Sequence, residues 1–154
     1  MSGLIFELAE GDLDIEIIPG VTAALSGGAL LGAPLGHDFA VISLSDLLTP
    51  MELIEERLAM SAKADMVICL YNPSSKKRAD YLKRACEIVL EYKSPETVCG
   101  LARNVGRDEE DMAVMTLDTL KDTPVDMFTT VYIGNSMTRE IDGRMVTPRG
   151  YKHE

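Results

Sequence analysis

Apolar positions along the 154-residue chain change period several times, and each change marks an expected element. Leu4, Ile5 and Leu8 lie at helical spacing, so residues 3–9 are predicted as a helix, one that no upstream residue caps. Residues 14–18 predict a strand that stops at Pro19-Gly20. Residues 21–31 predict a helix of small residues, which permit close backbone approach and end at Gly32-Ala33-Pro34. Residues 39–44 predict a strand. Thr49-Pro50-Met51-Glu52 then reads as a helix start, with Thr49 as cap, Pro50 in the first turn and Met51, Ile54 and Leu58 on one face. The continuous apolar run 66–71 predicts a strand buried on both faces. A helix follows to Glu91, with Leu82, Ala85, Cys86 and Val89 at i, i+3, i+4 and i+7. Further strands are predicted at 97–102, 112–116 and 129–133, a charged turn at 107–111, and a hairpin or strand at 140–146. Helices alternating with strands imply an α/β domain with a mainly parallel mixed sheet flanked by helices.

Composition narrows the function classes. The chain is 46% hydrophobic and 26% charged, ordinary for one globular domain. No apolar run approaches the roughly 20 residues of a membrane span, and no signal peptide opens the chain, so a cytoplasmic protein is expected. A net charge of −10 argues against nucleic acid, which demands basic patches. It also means that a carboxylate-rich ligand would need a locally positive cleft. Cys69, Cys86 and Cys99 are odd in number, widely spaced and set in apolar stretches, which suits buried, reduced thiols better than zinc or a disulfide. No metal-ligand pattern stands out.

Ligands of open α/β sheets bind beyond the carboxyl ends of strands. The predicted ends carry Pro19-Gly20-Val21-Thr22, Ser45-Asp46, Tyr71-Asn72-Pro73, Arg103-Asn104-Val105-Gly106 and Gly134-Asn135-Ser136. Each alone reads as a turn; together they suggest one polar crevice. Pro19 to Thr22 is either punctuation plus a cap, or a helix N-terminus whose N–H groups and Thr22 hydroxyl meet a ligand. Lys76-Lys77-Arg78 is either a solvated face or a trap for carboxylates. Arg103 follows a buried strand and is a candidate for binding. His37-Asp38 is either a proton-transfer pair or a locally bonded turn.

The stretch Ile17-Ile18-Pro19-Gly20-Val21-Thr22-Ala23-Ala24 resembles the central motif of the tetrapyrrole methylases. The segments 31–50, 70–76 and 125–136, and the ending 145–151, narrow the resemblance to the precorrin-3B (cobalt-precorrin-3) C17-methyltransferases, over nearly the whole chain. Such proteins have two α/β domains with S-adenosylmethionine between them. The resemblance therefore implies that residues 1–20 are the linking helix and strand of the domain junction. Residues 21–154 would be the C-terminal domain, and an N-terminal domain of about 90–100 residues, with its Gly-Asp-Pro loop, is absent from this sequence. It further implies a cytoplasmic, homodimeric enzyme of cobalamin biosynthesis that methylates precorrin-3B or cobalt-precorrin-3 at C17 with ring contraction. The alternative is a catalytically inert half-enzyme or companion subunit. Donor contacts carried over by motif are Thr22, Ala23, Leu70, Tyr71, Asn104, Val105, Thr129 and Thr130. Arg103 and Lys76 would face the tetrapyrrole, and His37 or Asp46 would assist the proton step.

Overall fold

The computed structural model describes residues 2–11, 13–74 and 80–151. In chain order the elements are α1 (Ser2–Leu8), α2 (Ala23–Leu31), β1 (Gly32–Ala33), β2 (Phe39–Ser43), α3 (Met51–Lys63), β3 (Val67–Tyr71) and α4 (Tyr81–Leu90). They continue with β4 (Val98–Arg103), β5 (Asp111–Thr116), α5 (Leu117–Leu120), β6 (Thr129–Ile133), β7 (Arg139–Ile141) and β8 (Arg144–Val146). The main sheet has the order β2-β3-β6-β4-β5 and a small one the order β1-β8-β7.

The α/β class and the mixed sheet are as expected; the mainly parallel pairing is not. In the main sheet only β2 and β3 pair in parallel, while β3–β6, β6–β4 and β4–β5 are antiparallel. β6 is inserted between two strands that both run the other way. Periodicity reports burial and not strand direction, so the sequence pattern could not show this. Residues 14–18, expected as a strand, join neither sheet among the described residues. Thr49 does not cap α3; Pro50 occupies that position, without a side-chain bond.

Strand alternation distributes side chains between two faces. Ile68 and Leu70 of β3, Val131 and Ile133 of β6 and Cys99 of β4 face a cluster that includes Ile54, Leu58, Leu82, Val89 and Leu120 from α3, α4 and α5. Cys69, Ala102 and Tyr132 face the other way, against Ala24 and Leu31 of α2 and Met145 of β8. The helix of small residues sits close to its sheet. A Cβ on Gly27 would lie 2.5 Å from the Tyr132 hydroxyl and 2.9 Å from Ala102 Cβ. One on Gly100 would lie 2.8 Å from a Leu31 methyl. The three cysteines are free and buried; burial pushes Cys69 and Cys86 up to about 12 and raises Cys99 as well. No helix among the described residues is long and apolar enough to cross a membrane.

Candidate functional site

The carboxyl ends of β3 and β4 and the start of β6 meet at one edge of the main sheet. Both outgoing chains turn there through an asparagine in the left-handed region, Asn72 at φ 54° and Asn104 at φ 52°. Asparagine tolerates that region better than other side-chain-bearing residues. The Asn72 amide donates to Ser43 Oγ at 2.9 Å, and Asn104 N–H donates to the Phe128 carbonyl at 3.3 Å. Over this edge lies the N-terminus of α2. Thr22 caps it, its Oγ1 accepting from Leu25 N–H at 3.4 Å. The Tyr71 hydroxyl accepts from Ala24 N–H at 2.8 Å, and the buried Tyr132 hydroxyl donates to the Ala24 carbonyl at 2.8 Å. Burial raises the Tyr132 hydroxyl far above its ordinary value, so it stays protonated and donates.

Between α2 and the strand ends is a hollow of about 370 Å³, within the size range of small-molecule sites. Of the residues expected to contact a donor, Ala23, Tyr71, Asn104, Val105, Thr129 and Thr130 line it. Thr22 stands beside it at the cap. Leu70 does not line it: its side chain faces the helices α3 and α4 across the sheet. Two first-turn N–H groups of α2 are already bonded, to Tyr71 and Thr22.

The remaining expected residues lie elsewhere. His37 sits at the amino end of β2, in a separate hollow with Phe39, Ala64 and Met66, so it is at the opposite edge of the sheet. Its Nδ1 accepts from the Asp38 N–H at 2.8 Å, the locally bonded turn. Asp46 follows β2 on the hollow's own edge and accepts from the Tyr81 hydroxyl at 2.8 Å. Arg103 points away from α2 and pairs through Nε with Asp126 at 2.9 Å. Lys76 lies outside the described residues. Residues 14–18 form no strand, although Val21 after them lines the hollow, and Asn135-Ser136 lies at the opposite edge beside Asp65 and Lys93.

Asp126 holds one wall. Its carboxylate accepts from Phe128 N–H, Thr129 Oγ1 and Arg103 Nε, each at 2.9 Å. Burial raises its pKa, but these bonds and the Arg103 charge outweigh that, and the group lies below its ordinary value. Four further lining residues were missed from the sequence: Ser26, Arg107, and the pair Met127 and Phe128. The signal was present as an apolar pair just before a buried strand. It was unreadable without knowing that β6 runs antiparallel and begins at this edge. Among the described residues, no cluster of three or more His, Cys, Asp or Glu could hold a metal.

Several known proteins are similar to this chain. A Salmonella typhimurium protein named "Probable cobalt-factor III C(17)-methyltransferase" is 46% identical over 98% of this chain and 64% of its own length. A Sinorhizobium protein named precorrin-3B C(17)-methyltransferase is 44% identical over 90% of this chain and 57% of its own. The crystal structure of the methyltransferase CobJ superposes with a TM-score of 0.80 at 40% identity, covering 88% of this chain and 56% of that one. The chain thus spans less than two thirds of the length of these relatives. Residues 1–121, which include α2, β3 and the turn after β4, match the family described as tetrapyrrole (corrin/porphyrin) methylases. The chain belongs to the tetrapyrrole methylases.

Proposed function

We propose that this chain supplies one wall of an S-adenosylmethionine-dependent C-methyltransferase that acts on precorrin-3B or cobalt-precorrin-3 at C17, with ring contraction, in cobalamin biosynthesis. One observation carries the reading. Six of the eight residues assigned to the donor by motif, drawn from four separate elements and turns, line the same hollow. Identity of 44–46% to proteins named for C17 methylation supports the acceptor.

The residues present suit an adenosyl donor. Val105, Met127 and Phe128 offer apolar area, while Thr130, Asn72 and Asn104 offer hydroxyl and amide groups that fix orientation. When bound, the donor supplies a methyl group already activated by its positive sulfur. What remains for the protein is placement of the acceptor carbon and exclusion of water. Tyr71 and Tyr132 contribute by pinning α2 over the strand ends. For the proton step, Asp46 is the better placed of the two expected groups, because His37 is separated from this edge by the length of β2, roughly 15 Å.

Titration calorimetry with S-adenosylhomocysteine tests the reading. Binding is expected, weakened in Thr130→Val, which keeps the shape of a buried side chain and removes its hydroxyl. Absence of heat at high micromolar ligand overturns the reading.

A further inference from the structure

Among the described residues, Arg107 is the one charged residue lining the hollow. That is unexpected in a chain of net charge −10, and more so within the run Arg107-Asp108-Glu109-Glu110-Asp111. Four carboxylates follow it directly, yet among the described residues it forms no ion pair. Its guanidinium instead lies over the Phe128 ring, 5.5 Å from the centroid. The turn that carries it is closed by its own bonds. Arg107 N–H donates to the Asn104 carbonyl at 2.9 Å, and Gly106 N–H donates to Glu110 Oε2 at 2.6 Å. The Asn104 amide donates to the Glu109 carbonyl at 3.4 Å. Glu110 is thereby occupied by backbone, and three left-handed residues, Asn104, Gly106 and Glu109, shape the turn. The result is a cation held over an aromatic face on the rim of the hollow, with its planar donors unclaimed by neighbouring acids.

We propose that Arg107 is a carboxylate-binding subsite on the rim of the hollow, and that the carboxylate it takes belongs to the tetrapyrrole. The proposal rests on the methyltransferase reading above and adds the residue that meets the acceptor's charge. A planar guanidinium binds a carboxylate through two parallel bonds, and stacking on Phe128 orients it for that. The donor also carries a carboxylate. Position favours the macrocycle: Arg107 is exposed on the rim, whereas Tyr71 and Thr130 lie further in, beneath α2. Arg103, by contrast, is half-exposed and already paired with Asp126.

The test compares the wild-type chain with Arg107→Gln and Arg107→Lys. Each is titrated with S-adenosylhomocysteine by calorimetry and with uroporphyrin III, a stable macrocycle fringed with carboxylates, by fluorescence, at low and high salt. The side chain is exposed, so both variants should fold as the wild type does, which circular dichroism checks. The expected result is uroporphyrin binding weakened about 10-fold or more in Arg107→Gln. Its salt dependence should be shallower, recovery in Arg107→Lys only partial, and S-adenosylhomocysteine affinity unchanged within about twofold. Weakened S-adenosylhomocysteine with unchanged uroporphyrin overturns the assignment to the macrocycle and gives the subsite to the donor. If the wild type binds either ligand and Arg107→Gln matches it for both, the subsite is overturned and the methyltransferase reading stands. A wild type that binds neither ligand overturns both.

Discussion

The two faces of the main sheet are held by different physics. Under α3, α4 and α5 lies a broad cluster of leucines, isoleucines and valines with little polar content, and its strength is buried apolar area. Under α2 the cluster is small and rests on Ala24, Cys69, Ala102 and Tyr132. Here close approach replaces bulk: Gly27 and Gly100 leave no room for a Cβ, and two tyrosine hydroxyls bond the helix backbone. The first face stabilises the domain. The second gives up apolar area to bring a helix N-terminus over the strand ends, and the hollow opens on that side.

If this division is right, the largest effect on stability comes from the first face. Leu58 on α3 is 1% exposed, and Leu58→Ala should cost about 2–5 kcal/mol through lost burial and a residual cavity. Urea unfolding reads the loss. S-adenosylhomocysteine affinity of the folded fraction should hardly move, because the hollow is across the sheet. A matching loss of affinity in folded protein would break the comparison.

Gly27→Ala probes the second face. Alanine favours a helix over glycine by about 1 kcal/mol, but the new methyl collides with Tyr132 and Ala102, and overpacking costs about 1–3 kcal/mol. The collision is with a ring and a strand, neither of which yields easily, so it wins by up to about 2 kcal/mol. Ligand affinity should fall with it, since α2 must shift. Tyr132→Phe alone loses a buried bond worth about 1 kcal/mol. Combined with Gly27→Ala it removes the nearer clash, so the double variant should be less destabilised than the sum of the two. Strict additivity would show that α2 does not rest on the Tyr132 hydroxyl.

The same contrast explains what the sequence made legible. The first face was readable almost residue by residue: Leu82, Ala85, Cys86 and Val89 were expected on one side of a helix and are buried there. The small-residue helix 21–31 was expected to approach something closely, and it does, although only the fold shows that the neighbours are Tyr132 and Ala102. The lining of the hollow was legible through motifs at strand ends and illegible where strand direction mattered. Thr129 and Thr130 came from the motif; Met127 and Phe128 required knowing that β6 starts at this edge. His37 shows the opposite case. A segment similar to a family's most specific motif placed it near the chemistry, yet it precedes β2 and so belongs to the far edge. Adjacency in sequence to a functional strand does not say which end of that strand a residue occupies.

The smallest expected effect is a pH dependence at the turn that walls the hollow. Asp126 is held below its ordinary pKa: burial alone would raise it, but Thr129, Phe128 N–H and Arg103 together overcome that. A carboxylate with a depressed folded pKa adds its full stability above its unfolded value, near 4, and loses it as pH falls through the folded value. Asp126 is more than a third exposed and Arg103 is half-exposed, so solvent screens the pair and the contribution stays under about 1 kcal/mol. Asp126→Asn keeps the shape but presents no charge to Arg103. The expected outcome is a lower urea midpoint than wild type at pH 7 and a difference that closes as pH drops well below 4. A gap of equal size at both pH values would mean that geometry alone, and not the charge, sustains this turn.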